Sequence, residues 1–101
     1  MTNQPEQALD MYNQLIPLRP NVAEYTNNRG ALYFNKLKRY EEAKKDFIRC
    51  IEINPENGTY YLNLARCYYM MQDNANAIQN ATKAQQLGAV DPAFSQLIGL
   101  K

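Results

Sequence analysis

The feature that most constrains this chain is that it repeats itself. Ala8, Tyr12, Leu15 and Pro20 recur 35 positions later as Ala43, Phe47, Cys50 and Pro55. Ala43, Phe47 and Cys50 recur again, 34 positions on, as Ala77, Ala81 and Ala84. A second element lies between these. Tyr25, Asn28, Gly30, Tyr33 and Phe34 return 35 positions later as Tyr60, Asn63, Ala65, Tyr68 and Tyr69. A period of this size marks stacked units, none of which can bury its apolar face alone. The one-residue difference between the two spacings places an insertion between Phe34 and Ala43. That charged stretch, Asn35 to Glu42, is where an added residue costs least.

Each element is a helix. Ala43, Phe47, Cys50, Ile51 and Asn54 step around one face at the helical period, and Leu64, Ala65, Tyr68 and Met71 do the same in the next element. Ala and Leu are abundant, whereas Val and Thr are scarce, so residue propensity agrees with the period. Small residues at Gly30, Ala43, Ala65, Ala77 and Ala84 mark places where helices approach closely. Pro20 and Pro55 end helical runs, and Asp91-Pro92 starts one. The spacing predicts six helices, over 5–16, 22–35, 39–53, 58–71, 74–87 and 92–100, in antiparallel neighbours. Pro17 is expected to end or kink the first helix early.

Composition removes several kinds of chemistry. The 101 residues suffice for one domain, and 46% hydrophobic content suffices for a core. With no His, neither a His-based triad nor a His-bound metal is available, and two Cys cannot complete a four-cysteine zinc site. Cys50 and Cys67 read as buried thiols of a cytoplasmic protein. A net charge of +1 offers no footprint for nucleic acid or an anionic membrane. The short basic run Lys36 to Arg39 is offset by Glu41 and Glu42. Glu41, Glu42 and Asp46, with Lys38, Lys44 and Lys45, read as a solvated helix face with i,i+4 pairs rather than acid–base machinery. No cofactor, metal or catalytic residue is expected, and no apolar run is long enough to span a membrane.

These residues resemble the tetratricopeptide repeat. The likeness rests on Gly30, Tyr33, Tyr40, Ala43, Phe47 and Pro55, then on Leu64-Ala65, Tyr68, Ala77, Ala81 and Ala84. It covers a half repeat at 5–20, full repeats at 22–55 and 58–89, and a capping helix at 92–100, all in a single domain over 1–101. Four positions depart from it. Thr26, Asn74 and Ala81 stand where aromatic residues are usual and Arg29 where Leu is common, which weakens packing at the ends. The resemblance implies an all-α superhelical solenoid of antiparallel helix pairs, right-handed, whose first helix of each pair lines a concave groove.

Carried over by position, the groove would hold Asn27, Asn28, Ala31, Phe34 and Asn35 from the first repeat. The second would supply Leu62, Asn63, Arg66, Tyr69 and Met70. Asn amides can pair with both N–H and C=O of an extended backbone. Asn28 and Asn63 would form a short amide ladder, and Arg66 would be the one fixed charge open to a carboxylate. Leu62, Arg66, Tyr69 and Met70 should face solvent while Leu64, Ala65, Tyr68 and Met71 pack on helix 74–87, so burial should differ sharply between Tyr68 and Tyr69. The branch of the family that clamps acidic chaperone tails is not matched. Asn63 agrees with it, but Asn27, Ala31, Ala93 and Leu97 replace its other polar positions.

The implied function is a non-enzymatic interaction scaffold that holds a peptide or partner helix. The alternative is a structural or oligomerising segment of a larger array. Self-association through the terminal helices is expected, with Leu9 and Ile16 exposed on the first.

Overall fold

The computed structural model describes residues 4–100. They form α1 (Gln4–Leu18), α2 (Ala23–Asn35), α3 (Tyr40–Ile53), α4 (Gly58–Met70), α5 (Asn74–Gln86) and α6 (Pro92–Leu97). No strand occurs among the described residues. The fold is an all-α solenoid, measuring 42 × 30 × 18 Å. Helix α2 packs on α3 and α4 on α5, while α1 meets α2 and α3 meets α4 less extensively.

The link between α2 and α3 has four residues and that between α4 and α5 has three, so the inserted residue lies in the charged turn. Lys38 takes a left-handed φ of 54° there, as Gln72 does with 64° in the shorter link. Pro17 does not stop α1, which continues to Leu18. It lies in the last turn, so its missing N–H forfeits one intrahelical bond, and the Arg19 N–H still reaches the carbonyls of Leu15 and Ile16. Helix α6 is shorter than predicted. Gly99 turns left-handed with φ 79°, and the Leu100 N–H bonds the Ser95 carbonyl at 2.8 Å, closing the helix.

The same closure ends α4 without a glycine. The Gln72 N–H reaches the Tyr69 carbonyl at 3.0 Å and the Asp73 N–H reaches that of Tyr68 at 2.9 Å, which forces Gln72 to a φ of 64°. Left-handed backbone costs a residue with a Cβ about 1–2 kcal/mol. Gln72→Gly should therefore raise the unfolding free energy by about 0.5–1 kcal/mol once the extra unfolded-state entropy of glycine is subtracted. Urea denaturation checks this.

Two clusters form the core. Ala43, Phe47, Leu64 and Cys67 join α3 to α4, with Tyr33 and Phe34 against them from α2. Leu62, Ala65, Ala81, Ala84 and Phe94 join α4, α5 and α6. The ring that Ala81 lacks is thus made up by Phe94, arriving from the last helix. Gly30 is required by its neighbour, since a Cβ there would sit 2.9 Å from the Phe47 ring. Both thiols are fully buried, and burial pushes each up to about 12. They stay protonated at neutral pH and act as small apolar fillers.

Candidate functional site

The hollow between α2 and α4 is built from helical spacing alone. Asn27, Ala31, Phe34 and Asn35 fall on one side of α2, four, three and one residues apart, and Asn63 and Arg66 fall on the facing side of α4. Ala31, Phe34, Asn35, Asn63 and Arg66 surround a space of about 290 Å³ whose floor is Phe47. The short side chain of Ala31 leaves the room. Phe34 is held from behind by an edge-on contact with Tyr40, their ring centres 5.2 Å apart.

Polar groups cross this space as a chain. The Asn63 amide N–H donates to the Asn27 side-chain oxygen at 3.3 Å. Arg66 Nη1 donates to the Asn63 oxygen at 3.1 Å, and Nη2 donates to Asp91 Oδ2 at 2.6 Å. The other oxygen of Asp91 accepts the Phe94 N–H and caps α6. The Arg66 guanidinium also lies 5.8 Å from the Phe94 ring centre. Asp91 therefore neutralises the cation of the groove from within the chain.

This arrangement alters several sequence expectations. The amide contact uses Asn27, one position from the Asn28 expected, and Asn28 is exposed outside the hollow. Leu62 is buried at 8% exposure in the core beside Phe94 instead of facing solvent. Tyr69 is half-buried with its ring edge-on to Phe94, 5.8 Å away, and Tyr68 is half-buried too, so the expected contrast between them is absent. The reason is common to both. Helix α6 returns over α4 and covers a side that the pattern of α4 leaves open. Met70 is exposed, but it lines a different hollow with Tyr69, Gln72 and Asn74. Arg66 is not a free carboxylate hook, because Asp91 already occupies it.

Asp46 likewise leaves its expected solvated face. It is buried and paired with Arg29, while the ion pair formed on the exposed face is Glu41 with Lys44, three residues apart. Two participants were missed by sequence reasoning. Phe47 was read as core only, and Asp91 as a cap only. The partner of Asp91 lies 25 residues away in the chain, outside any local pattern.

Asp91 has a testable electrostatic signature. The hydrogen bond from Arg66, and then that from the Phe94 N–H, hold its carboxyl below the usual carboxylate range. A lowered pKa means that the folded state favours the charged form. The stability this contact supplies is present above the ordinary carboxylate range and is lost as pH falls through the lowered value. Acidification should therefore loosen the polar tie between α6 and α4, visible as weaker ring-current shifts between Tyr69 and Phe94. In Asp91→Asn those shifts should be weaker at neutral pH and insensitive to acid.

Sequence models described as tetratricopeptide repeat match residues 23–57 and 60–87. Over 93% of its length the chain is 30% identical to Hsp70-Hsp90 organizing protein 1 of Glycine max, spanning 16% of that protein. Over 86% of its length it is 28% identical to the Protein SGT1 homolog of Bos taurus, spanning 25% of it. The fold is similar to a solved structure, the first TPR of Spaghetti (RPAP3) bound to HSP90 peptide SRMEEVD. The TM-score is 0.85 at 18% identity, over 95% of this chain and 75% of that one. No helix among the described residues is long and apolar enough to cross a membrane.

Proposed function

Since this chain belongs to the tetratricopeptide repeat family, we propose that it is a protein-interaction scaffold whose α2–α4 groove holds an extended segment of a partner protein. The observation that carries this reading is the lining itself: an apolar floor at Phe47, an apolar wall at Phe34 and amides at Asn27, Asn35 and Asn63. Such a surface takes one side chain into the hollow and meets the flanking backbone with amides. The Asp91–Arg66 pair directs the choice of ligand. An acidic tail would have to displace Asp91 from Arg66, so a neutral segment is preferred over a terminal carboxylate. The chain spans 16% and 25% of the lengths of these two relatives. The chain is read as non-enzymatic and cytoplasmic, acting on another protein rather than on nucleic acid or membrane.

A photo-crosslinking residue tests the groove. Placed at position 35, on the groove edge, it should capture a discrete protein in cells; placed at position 28, outside the hollow, it should not. Phe34→Ala should reduce the capture at least fivefold with the fold intact by circular dichroism. Equal capture from both positions, or capture indifferent to Phe34→Ala, would remove the groove from consideration.

A further inference from the structure

Arg29 and Arg66 each hold a carboxylate brought by another element, and the two pairs are built differently. Arg29 grips both oxygens of Asp46, whose side chain is 7% exposed. Its third contact runs to Asn13, on the face of α1 that also buries Leu9, contrary to the exposure expected of that residue. Opening this pair would strand a charge out of water. Arg66 holds only Oδ2 of Asp91, by a single bond, and the two side chains are 33% and 31% exposed. The other oxygen, Oδ1, is committed to the Phe94 N–H. Water reaches both partners of this second pair, so it can be exchanged where the first cannot.

Arg66 is held in place by more than Asp91. Its Nη1 donates to the Asn63 oxygen, and its guanidinium lies 5.8 Å from the centre of the Phe94 ring. Nη2 is therefore an oriented, charged donor at the hollow, whose lining has no other charged side chain. A carboxylate brought by a ligand would find there the contact that Asp91 now makes. Exchange would not undo α6, because its cap uses the oxygen that Arg66 leaves free.

The geometry points to Asp91 as the residue that sets the ligand class of the groove. It stands in the carboxylate position of Arg66 as a resident competitor. An uncharged segment enters beside an intact pair, whereas an acidic one enters only by displacing Asp91 and against the repulsion of its charge. This rests on the reading of the α2–α4 hollow as the binding surface, and assigns the selection made there to one side chain outside the hollow.

The test uses the whole chain, with acetyl-alanyl-leucine and its C-terminal amide as probes. Both bring backbone amides for Asn27 and Asn63 and an apolar side chain for the corner between Phe34 and Phe47, but only the first brings a carboxylate. Affinities are read from the NMR shifts of the Asn27 and Asn63 side-chain amides. In Asp91→Ser the hydroxyl can still cap α6 but is too short to meet Arg66. The ratio of acid to amide affinity should rise about fivefold over that of the natural chain, the worth of a well-formed exposed ion pair. It should fall back in Asp91→Ser/Arg66→Gln. A ratio unmoved by Asp91→Ser overturns the proposal, including the case in which both probes weaken together because Asp91 serves only to dock α6. So does a raised ratio that survives Arg66→Gln. Failure of both probes to shift Asn27 and Asn63 in either protein would overturn the groove reading itself, and this proposal with it.

Discussion

Replacing Arg29 by methionine should destabilise the fold by roughly 3 kcal/mol, the lower end of what removing one partner from a buried ion pair costs. Arg29 reaches Asp46 through two parallel bonds, Nε to Oδ2 at 2.9 Å and Nη2 to Oδ1 at 2.7 Å. Its remaining fork, Nη1, donates to the Asn13 oxygen at 2.9 Å. One guanidinium therefore ties α1, α2 and α3 together. The Asp46 side chain is only 7% exposed, so without Arg29 its carboxylate stays out of water with no counter-charge. The hydrogen bonding of its guanidinium to Asp46 is also the main cause holding the Arg29 pKa above its ordinary value. For a domain of this size, with a total stability of about 5–15 kcal/mol, the loss is large. The double variant Arg29→Met/Asp46→Leu should recover most of it, because no unpaired charge is then buried. Urea midpoints of the two single variants and the double variant decide the matter. A double variant no more stable than Arg29→Met would mean that the loss came from packing and not from the stranded charge.

Phe47→Ala should cost about 3–5 kcal/mol, as deleting a buried ring does when the surroundings cannot collapse into the space. Phe47 is 2% exposed and lies among Ala43, Leu64 and Cys67, with Gly30 directly above it. Gly30 has no side chain to move into the void, which keeps the cost high. Adding Gly30→Leu should therefore restore part of the lost stability in Phe47→Ala, although the same change in the natural chain forces a Cβ against the ring and destabilises. That reversal of sign is read from a double-mutant cycle by thermal or chemical denaturation. Phe47 is also the floor of the groove, so the variant should lose partner capture even where it remains folded.

The helical periods and the 35/34 spacing carried the fold in plain view. They do so because a repeat unit must present the same apolar stripe to the same neighbour each time, and small residues must recur wherever two helices touch. The inserted residue in the α2–α3 turn was legible for the same reason. The groove was legible in part. Asn27, Phe34, Asn35, Asn63 and Arg66 do meet around one hollow or on its edge. Asn28, Leu62, Tyr69 and Met70 do not join it, because a helical face only has meaning once its neighbours are in place, and α6 was an unplaced neighbour.

The departures from the repeat pattern show most clearly what spacing cannot reach. Arg29 reads as a misfit for leucine, yet it is the partner of a buried carboxylate 17 residues away. Asp91 reads as a cap and is also the counter-ion of the groove. Ala81 reads as a lost aromatic, and Phe94 replaces it from another helix. Local sequence determined the helices, their turns and the faces that touch within each pair, because those follow from period, capping and side-chain size along a single stretch. Tertiary structure alone decided which charges meet and what α6 covers, because each depends on groups distant in the chain arriving at one place.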